Sequence, residues 1–350
     1  MQSCEDTFSS SPSRDRRLQR GVPMKVAIAG CGSAGKRHFL NSISMGHTTI
    51  LFDPDTQRAK ALALEAGAGR SIVASKLQAL WEERPDAFVI ASPTDSHAQL
   101  VGEALERRIP VLVEKPLALS YSEGVALTRL QSEARVPLMV GYNLRFLDEI
   151  AEIKQRLDNG EVGRPLGVAL WFGYDLRKWR KGVHFKSTYS ASKARGGGVL
   201  LEASHEIDLA FWLLGPFDTA FGFVKRTGVL NADPDDLAVA VLETRSGAVI
   251  SLFLEMISAT YRRGFEIVGE KGTLGWKWSE TGRSKQAIEN SYRTELAFFL
   301  KCVQDGRDPT PDILDGLYVL GAVEAIARSS TLREPTKVPP PATKGEESRS

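Results

Sequence analysis

Residues 24–141 alternate between short apolar runs and longer segments of mixed polarity. Runs of three to six residues bounded by polar or turn residues indicate buried strands, and the segments between them have helical composition. Alternating strands and helices predict a parallel sheet covered by helices on both faces. The predicted strands span 24–29, 48–52, 71–73, 87–91, 110–113 and 137–140, and helices are predicted at 56–66 and 76–83.

From about Phe146 the pattern changes to strand-like runs joined by short links. It predicts strands at 167–172, 220–225, 237–244, 248–256, 263–268 and 273–278, and helices at 147–157, 204–214, 295–303 and 315–328. Residues 245–247 are a candidate hairpin turn. The fold class is therefore α/β, a Rossmann domain followed by an α+β domain with a largely antiparallel open sheet. Such a sheet needs a cover on its second face, so we expect a homodimer or homotetramer.

The 350 residues suit two domains. We expect a disordered extension at 1–22, a dinucleotide-binding domain at 23–145, a substrate and oligomerisation domain at 146–332, and a loose tail at 333–350. The extension is rich in Ser and Arg and lacks the apolar core of a signal peptide, and Met24 is an alternative start.

Composition and charge exclude several classes of protein. The chain is 42% hydrophobic and 25% charged, with 45 basic and 43 acidic residues, so no global charge favours a nucleic-acid partner. No apolar run is long enough to span a membrane. The three cysteines are scattered, which argues against disulfides and a metal site and favours a reducing, cytoplasmic location.

A glycine motif follows the first predicted strand. It reads Gly30-Cys31-Gly32-Ser33-Ala34-Gly35 and leads into a predicted helix. In a dinucleotide-binding turn, the first glycine allows the tight turn, the second makes room for the pyrophosphate, and the third lets helix and strand pack closely. The amide groups at the helix start then bind the anion. These six residues predict an NAD site.

Asp53 ends the second predicted strand, 18 residues after Gly35. Dinucleotide folds place there the acid that accepts hydrogen bonds from the adenosine ribose. A carboxylate at this position repels a 2′-phosphate, so we expect NAD to be preferred over NADP. Arg58 is the nearby cation that could oppose this preference.

Polar clusters follow three further strands of the predicted parallel sheet. Ligands of such sheets lie beyond the carboxyl ends of the strands, so these clusters are expected to face the cofactor or the substrate. The predicted cofactor contacts there are Ser92, Pro93, Thr94, His97, Glu114, Lys115 and Asn143, with Arg145 expected at the substrate.

Two residues are candidates for catalysis. Lys115, held before Pro116, could orient a substrate hydroxyl, although alone it is also an ordinary surface lysine in a turn. His205 lies at the start of a predicted helix with Asp208 three residues later on the same face. An imidazole with a carboxylate partner suits a general base near neutral pH, although a solvated histidine fits equally when the motif is taken alone.

Together these motifs resemble the Gfo/Idh/MocA family of NAD(P)-dependent oxidoreductases. The resemblance covers about 24–328 and rests on the glycine motif and the segments SPTDSH, EKP, NLRF and GGGVLLEASHEID. It implies a dehydrogenase that acts on a secondary alcohol carbon of a sugar, cyclitol or nucleotide-linked sugar. By this resemblance Lys115 is the active-site lysine and His205 the proton-transfer histidine.

One position departs from the family pattern. Many members have an aspartate four residues before the histidine, whereas Glu202 stands three before His205. This spacing, with Trp179 and Tyr189 upstream, resembles a subgroup associated with acetamido-sugar and polysaccharide genes. Glu202, Trp179 and Tyr189 are therefore expected at the substrate, and the role of Glu202 stays open.

Two other functions fit the same scaffold. One is a glycosidase that uses NAD transiently and releases a leaving group without net NADH. The other is a regulator that binds NAD or sugar without catalysis, against which the presence of Lys115 and His205 argues.

Residues 177–195 form the one strongly basic stretch, with no acidic residue. An anionic sugar-like substrate explains it, and so does a solvated surface loop. The basic residues are Arg177, Lys178, Arg180, Lys181, Lys186, Lys193 and Arg195.

Overall fold

The computed structural model describes residues 22–342 except 66, 68, 181, 280 and 281. It contains two sheets with helices around them, which confirms the predicted fold class. The extension predicted at 1–22 falls, apart from Val22, outside the described residues, as do the last eight residues of the predicted tail.

The first sheet is parallel and has six strands. Its strands are β1 (Lys25–Ala29), β2 (Thr48–Phe52), β3 (Ser71–Val73), β4 (Ala87–Ile90), β5 (Val111–Glu114) and β6 (Leu138–Gly141). The helices between them are α1 (Ser33–Ser44), α2 (Thr56–Glu65), α3 (Leu77–Glu82), α4 (His97–Glu106) and α5 (Tyr121–Ala134). The strand order β3-β2-β1-β4-β5-β6 reverses direction between β1 and β4. Ligands of such sheets bind at this reversal, beyond the carboxyl ends of the strands.

The second sheet has seven strands. They are β7 (Pro165–Gly173), β8 (Phe217–Lys225), β9 (Leu237–Thr244), β10 (Val249–Glu255), β11 (Arg262–Gly269), β12 (Gly272–Lys277) and β13 (Thr336–Lys337), in the order β12-β11-β7-β10-β9-β8-β13. Strands β7 and β10 pair in parallel and the other neighbours are antiparallel, as predicted. The remaining helices are α6 (Asp148–Asp158), α7 (Val199–Glu202), α8 (Ser204–Leu214), α9 (Gly282–Asp305) and α10 (Ile313–Leu332).

The predicted hairpin turn joins β9 to β10. Gly247 has φ +86°, a conformation that glycine adopts without steric cost, and its N–H donates to the Thr244 carbonyl at 2.9 Å. The turn fixes the register of the hairpin, so the side chains of β9 alternate strictly between buried and exposed positions.

The two faces of the second sheet have different surroundings. Its inner face buries alternate residues of β9, such as Ala240 and Leu242, in the core. Its outer face carries an apolar row that crosses four neighbouring strands. The row consists of Phe223, Val239, Phe253 and Trp171, and its first three members are exposed.

The chain remains part of the fold beyond residue 332, which corrects the prediction of a loose tail from 333. Strand β13 pairs with β8, and the Thr336 hydroxyl donates to the Ala325 carbonyl at 2.7 Å. Val338 is buried. The polar and proline-rich composition of this segment concealed a two-residue edge strand.

Helix α9 is longer than predicted and packs on the first sheet. Its residues Leu296, Phe299 and Leu300 are buried in one apolar cluster with Phe39 and Leu51 of the cofactor-binding domain. A break in sequence pattern near Phe146 is therefore not a break in packing. The C-terminal third of the chain completes the core of the N-terminal domain.

In the part of the chain that the structure describes, Cys31 and Cys302 are both buried free thiols. Among the described residues, no helix combines the length and the apolar character needed to span a membrane.

Replacing Phe299 by Ala should lower the free energy of unfolding by about 3–5 kcal/mol, because it leaves a cavity where α9 meets the first sheet. Lys301→Ala, at an exposed position of the same helix, should change it by about 0.5 kcal/mol or less. Urea unfolding measures both. Similar effects of the two changes would contradict the packing role of α9.

Candidate active site

The turn between β1 and α1 has the geometry that its glycines predict. Gly30 has φ +93°, and a Cβ there would lie 2.5 Å from the Ala91 carbonyl oxygen. A Cβ on Gly35 would lie 1.8 Å from the Gly30 carbonyl oxygen. Both positions therefore require glycine, because the chain turns sharply and α1 starts directly against that turn.

The start of α1 has room for a pyrophosphate. A Cβ on Gly32 would meet no atom within 4 Å, and Gly32 and Ser33 are exposed at the helix start, followed by Ala34. Amide groups at such a helix start attract anions. Burial, with the Asp53 charge, raises the pKa of the Cys31 thiol to about 12, so Cys31 is a packing residue and not a reactive thiolate.

Asp53 lies at the end of β2 with its carboxylate turned toward the glycine turn. Its Oδ2 accepts from the Cys31 N–H and its Oδ1 from the Asp55 N–H, both at 2.8 Å. A carboxylate has further lone pairs to accept ribose hydroxyls. These groups fit NAD. The Arg58 guanidinium lies 3.5 Å from Asp53 Oδ2 and is more than half exposed.

His97 joins the loops that follow β4 and β5. Its Nδ1 lies 2.8 Å from the Pro116 carbonyl oxygen, and its Nε2 lies 2.9 Å from the Ser92 carbonyl oxygen. Both ring nitrogens lie beside main-chain carbonyl oxygens and the side chain is 1% exposed, so His97 packs between these two loops. Its predicted contact with the cofactor stays a prediction. Ser92, Pro93 and Thr94 lie in the same loop after β4.

Lys115 and Glu202 meet where the two domains join. The Lys115 Nζ donates to the Glu202 carbonyl oxygen at 2.9 Å and lies 3.7 Å from Glu202 Oε2. Glu202 Oε1 is buried without a hydrogen-bond partner. The structure thus places the predicted lysine beside the residue whose role the sequence left open, with one carboxylate oxygen free to accept a hydroxyl.

His205 is buried at the start of α8 and packs edge-on against the ring of Tyr142 at 5.8 Å. Burial lowers the pKa of His205 well below its ordinary value, and the positive charges of Arg263 and Lys115 lower it further. The imidazole is therefore neutral at neutral pH and able to accept a proton. Its Nδ1 has no hydrogen-bond partner.

The expected pairing of His205 with Asp208 is wrong. Asp208 accepts two hydrogen bonds from Arg145, at 2.6 and 3.0 Å, and both side chains are buried. Arg145 also reaches Asp315 at 3.4 Å. Arg145 was predicted to bind substrate, but its guanidinium is held by these two carboxylates within the protein.

Glu206, the residue after His205, forms an ion pair with a second arginine. Arg263 of β11 donates to both of its carboxylate oxygens and stacks 5.1 Å from the Phe172 ring centroid. The two acids that follow His205, Glu206 and Asp208, therefore each have an arginine partner, and neither pairs with the histidine.

Two predicted cofactor contacts turn away from the cofactor site. The Glu114 Oε1 lies 2.8 Å from His38 Nε2, beneath α1. The Asn143 amide donates to the Ser291 hydroxyl of α9 at 2.8 Å. Both side chains are buried and contact neighbouring helices, so any contact of these residues with NAD would be through their main chain or after a side-chain change, and the predicted contacts stay predictions.

Trp179 and Tyr189 lie in the basic segment. Trp179 packs edge-on against Phe172, and its Nε1 donates to the Tyr174 carbonyl at 3.1 Å. Tyr189 carries Arg180 over its ring at 5.2 Å. Burial raises the pKa of Tyr189, and the negative charge of Glu202 raises it further, which places this phenol near the candidate site.

Sequence reasoning missed Tyr142, Arg263, His38 and Glu295. Tyr142 and His38 adjoin predicted motifs, so their positions after β6 and in the first helix were a usable signal. Arg263 and Glu295 come from elements far along the chain, and no local pattern marks them as partners of the site.

A parallel sheet with a glycine turn, joined to a second domain that supplies a neutral histidine beside a lysine, defines an NAD-binding oxidoreductase. Two family models match the chain. Residues 24–142 match the oxidoreductase family with an NAD-binding Rossmann fold, and residues 150–275 match the GFO/IDH/MocA C-terminal domain. The chain belongs to the Gfo/Idh/MocA oxidoreductase family, as the resemblance implied.

Curated relatives match over most of their length. Inositol 2-dehydrogenase of Mycolicibacterium gilvum is 27% identical, over 86% of this chain and 88% of the relative. The NAD(+)-dependent scyllo-inositol 2-dehydrogenase of Bacillus subtilis is 26% identical, over 83% and 90%.

Solved structures share the fold. A levoglucosan dehydrogenase in complex with NADH has a TM-score of 0.81 at 20% identity, covering 91% of this chain and all of that one. A myo-inositol dehydrogenase from Corynebacterium glutamicum has a TM-score of 0.78 at 22% identity, with the same coverage.

The buried His205 makes stability depend on pH. Unfolded, it binds a proton below about pH 6.5, whereas the folded protein keeps it neutral, so stability falls as the pH drops below that value. His47 and His97, whose pKa values burial also lowers, act in the same direction. His205→Gln should reduce this loss by up to about 1.4 kcal/mol per pH unit. Urea unfolding from pH 7 to 5 measures it, and His184→Gln, at an exposed position, should leave the slope unchanged.

Proposed function

We propose that the protein is an NAD-dependent dehydrogenase that oxidises a secondary alcohol of a cyclitol or related uncharged polyol. The observation that carries the proposal is the meeting of Lys115, Glu202 and the neutral His205 where the two domains join. The names of the relatives, which act on inositols, support the substrate class.

The side chains divide the work of the reaction. NAD, when bound, takes up the hydride of the carbinol carbon. Lys115, held by the Glu202 carbonyl oxygen, donates a hydrogen bond to the reacting hydroxyl and stabilises the charge that develops on its oxygen. His205 accepts the hydroxyl proton, since it is neutral before the reaction. The unpartnered Oε1 of Glu202 accepts a hydrogen bond from a neighbouring hydroxyl of the substrate.

Part of the positive charge of the basic segment is compensated within the protein, so this segment does not by itself require an anionic substrate. Several of its cations already have partners within the protein. Arg177 pairs with Asp175, Arg195 with Asp95 and Lys193 with Asp235, and Lys178 donates to the Ala259 carbonyl. Lys181 lies outside the described residues.

The two rival functions have less support. The curated relatives described above are dehydrogenases by name, and a buried proton acceptor beside Lys115 has no evident task in a regulator. Incubation with NAD and a panel of inositols, free sugars, sugar phosphates and glycosides separates the three, and NAD binding without turnover of any of them supports the regulator. Net NADH with an uncharged polyol supports the proposal. A released leaving group without NADH supports the glycosidase, and efficient use of sugar phosphates alone supports the anionic substrate.

Lys115→Ala and His205→Ala should each lower kcat by about two to four orders of magnitude, the usual contribution of acid–base groups. NAD binding should persist in the His205 variant, because the residue lies outside the dinucleotide turn. Steady-state kinetics on the best substrate of the panel measure the effect, and Lys193→Ala serves as the matched control on an exposed lysine. Turnover within a few-fold of wild type would refute the assigned roles.

NAD should be preferred over NADP because Asp53 faces the ribose position. Asp53→Ser should lower the ratio of kcat/KM with NAD to that with NADP by about ten- to a hundredfold, which corresponds to the loss of a hydrogen bond to a charged group. Asp55→Ser is the control, since that carboxylate is exposed and lies off the turn. An unchanged ratio in the Asp53 variant would contradict this assignment.

We also propose that the outer face of the second sheet packs against the same face of another copy. The row of Phe223, Val239, Phe253 and Trp171 offers apolar surface across four strands. Val239→Lys with Phe253→Lys should lower the mass measured by light scattering to that of a monomer, whereas Leu64→Lys on α2 should not. A monomeric wild type, or a double variant of unchanged mass, would disprove this assembly.

A further inference from the structure

Three buried side chains from three elements meet directly behind Lys115. They are His38 of α1, Glu114 at the end of β5 and Glu295 of α9. One nitrogen or oxygen from each lies within 4.8 Å of the other two. His38 and Glu295 are 0% exposed and Glu114 is 8% exposed. None of the three has a part in the hydride and proton transfers described above.

The cluster has two carboxyl groups and few donors. Glu114 accepts from His38 at 2.8 Å, but both oxygens of Glu295 are buried without a hydrogen-bond partner. Within the part of the chain that the structure describes, neither glutamate forms an ion pair with a lysine or arginine. With both glutamates ionised, the cluster would place two negative charges within 4.8 Å of each other in a buried site.

The charged groups on the surrounding elements do not supply the missing positive charge. On α1, Arg37 pairs with Glu289 and lies over the Tyr292 ring. On the turn after β6, Arg145 is held by Asp208. Burial, followed by the negative charges of Glu114 and Asp208, raises the pKa of Glu295 well above its ordinary value.

A proton explains the geometry of this cluster better than a bound metal ion does. Two ligands of a tetrahedral zinc ion, each about 2.0–2.1 Å from the metal, lie about 3.3 Å apart. His38 Nε2 and Glu114 Oε1 are 2.8 Å apart, which is the length of a hydrogen bond. A proton, unlike a metal ion, requires no rearrangement of this contact.

We propose that Glu295 keeps its proton at neutral pH, and that the neutral acid lets Glu114 stay paired with His38, which holds the end of β5, and with it Lys115, against α1. A second negative charge beside Glu114 in this buried site is unfavourable, so the proton stays on Glu295. Loss of that proton sets two like charges within 4.8 Å of each other and displaces Glu114, the residue next to Lys115. Glu114 and Glu295 are thus positioning residues.

Glu295→Gln tests the proton without changing the shape of the side chain. The folded wild type retains a proton that the unfolded chain loses above about pH 4.5, so its stability falls as the pH rises, and the amide has no such dependence. The unfolding equilibrium constant of wild type relative to that of Glu295→Gln should increase by up to tenfold per pH unit between pH 5 and 8. Glu289→Gln, an exposed glutamate on the same helix, should give a flat ratio.

Infrared difference spectroscopy provides a direct readout. At pH 7, wild type minus Glu295→Gln should show the C=O stretch of a protonated carboxylic acid. Absence of that band, a flat unfolding ratio, or a stoichiometric metal ion that the Glu295→Gln change removes would each overturn the proposal.

The positioning role of Glu114 and Glu295 in catalysis rests on the proposed function, and a separate kinetic experiment measures it. The ratio of kcat for Glu295→Gln to kcat for wild type should rise with pH, because only the wild type has a proton at residue 295 that it can lose. Parallel pH profiles would overturn the positioning role. If no polyol is oxidised at all, the proposed function fails, whereas the spectroscopic and unfolding measurements still decide whether the proton is present.

Discussion

The site depends on two arginines that pair with Glu206 and Asp208, the two carboxylates that follow His205. Arg263 holds Glu206 and Arg145 holds Asp208, so the start of α8 is tied to β11 and to the turn after β6. Breaking such a buried pair by removing one partner typically costs about 3–5 kcal/mol, since it leaves an uncompensated charge. The same pairing leaves the histidine without a carboxylate that would favour its protonated form. Burial lowers the pKa of His205 and the nearby charge of Arg263 lowers it further, so this packing keeps the candidate base neutral.

The second requirement is that the two domains meet. Lys115 ends a strand of the cofactor-binding domain, whereas Glu202 and His205 belong to the helices of the second domain. The hydrogen bond from Lys115 to the Glu202 carbonyl joins residues 87 apart in sequence. A main-chain acceptor fixes this contact independently of the side chain that stands at 202.

Local pattern was sufficient for most of the fold. The parallel strands were predictable because each is a short apolar run, and the glycine turn because few residue types satisfy its geometry. Strand β13 was not predictable, because two residues are too few to show the alternation of a strand. The full length of α9 was not predictable because its first half is polar. At the site, sequence motifs identified Lys115 and His205. They did not identify the partners of Glu206, Asp208 and Glu114, because burial and long-range pairing decide which acid meets which base.

The packing of α9 also bears on how the chain acquires its fold during synthesis. The first sheet is complete in sequence by residue 141, but its core includes Leu296 and Phe299. Domains often fold in order as the ribosome releases them. Here the dinucleotide-binding domain cannot bury its last apolar face until α9 has emerged, after His205 has already been made. The first core is therefore completed only near the end of synthesis, and a chain that stops before residue 296 leaves part of it uncovered.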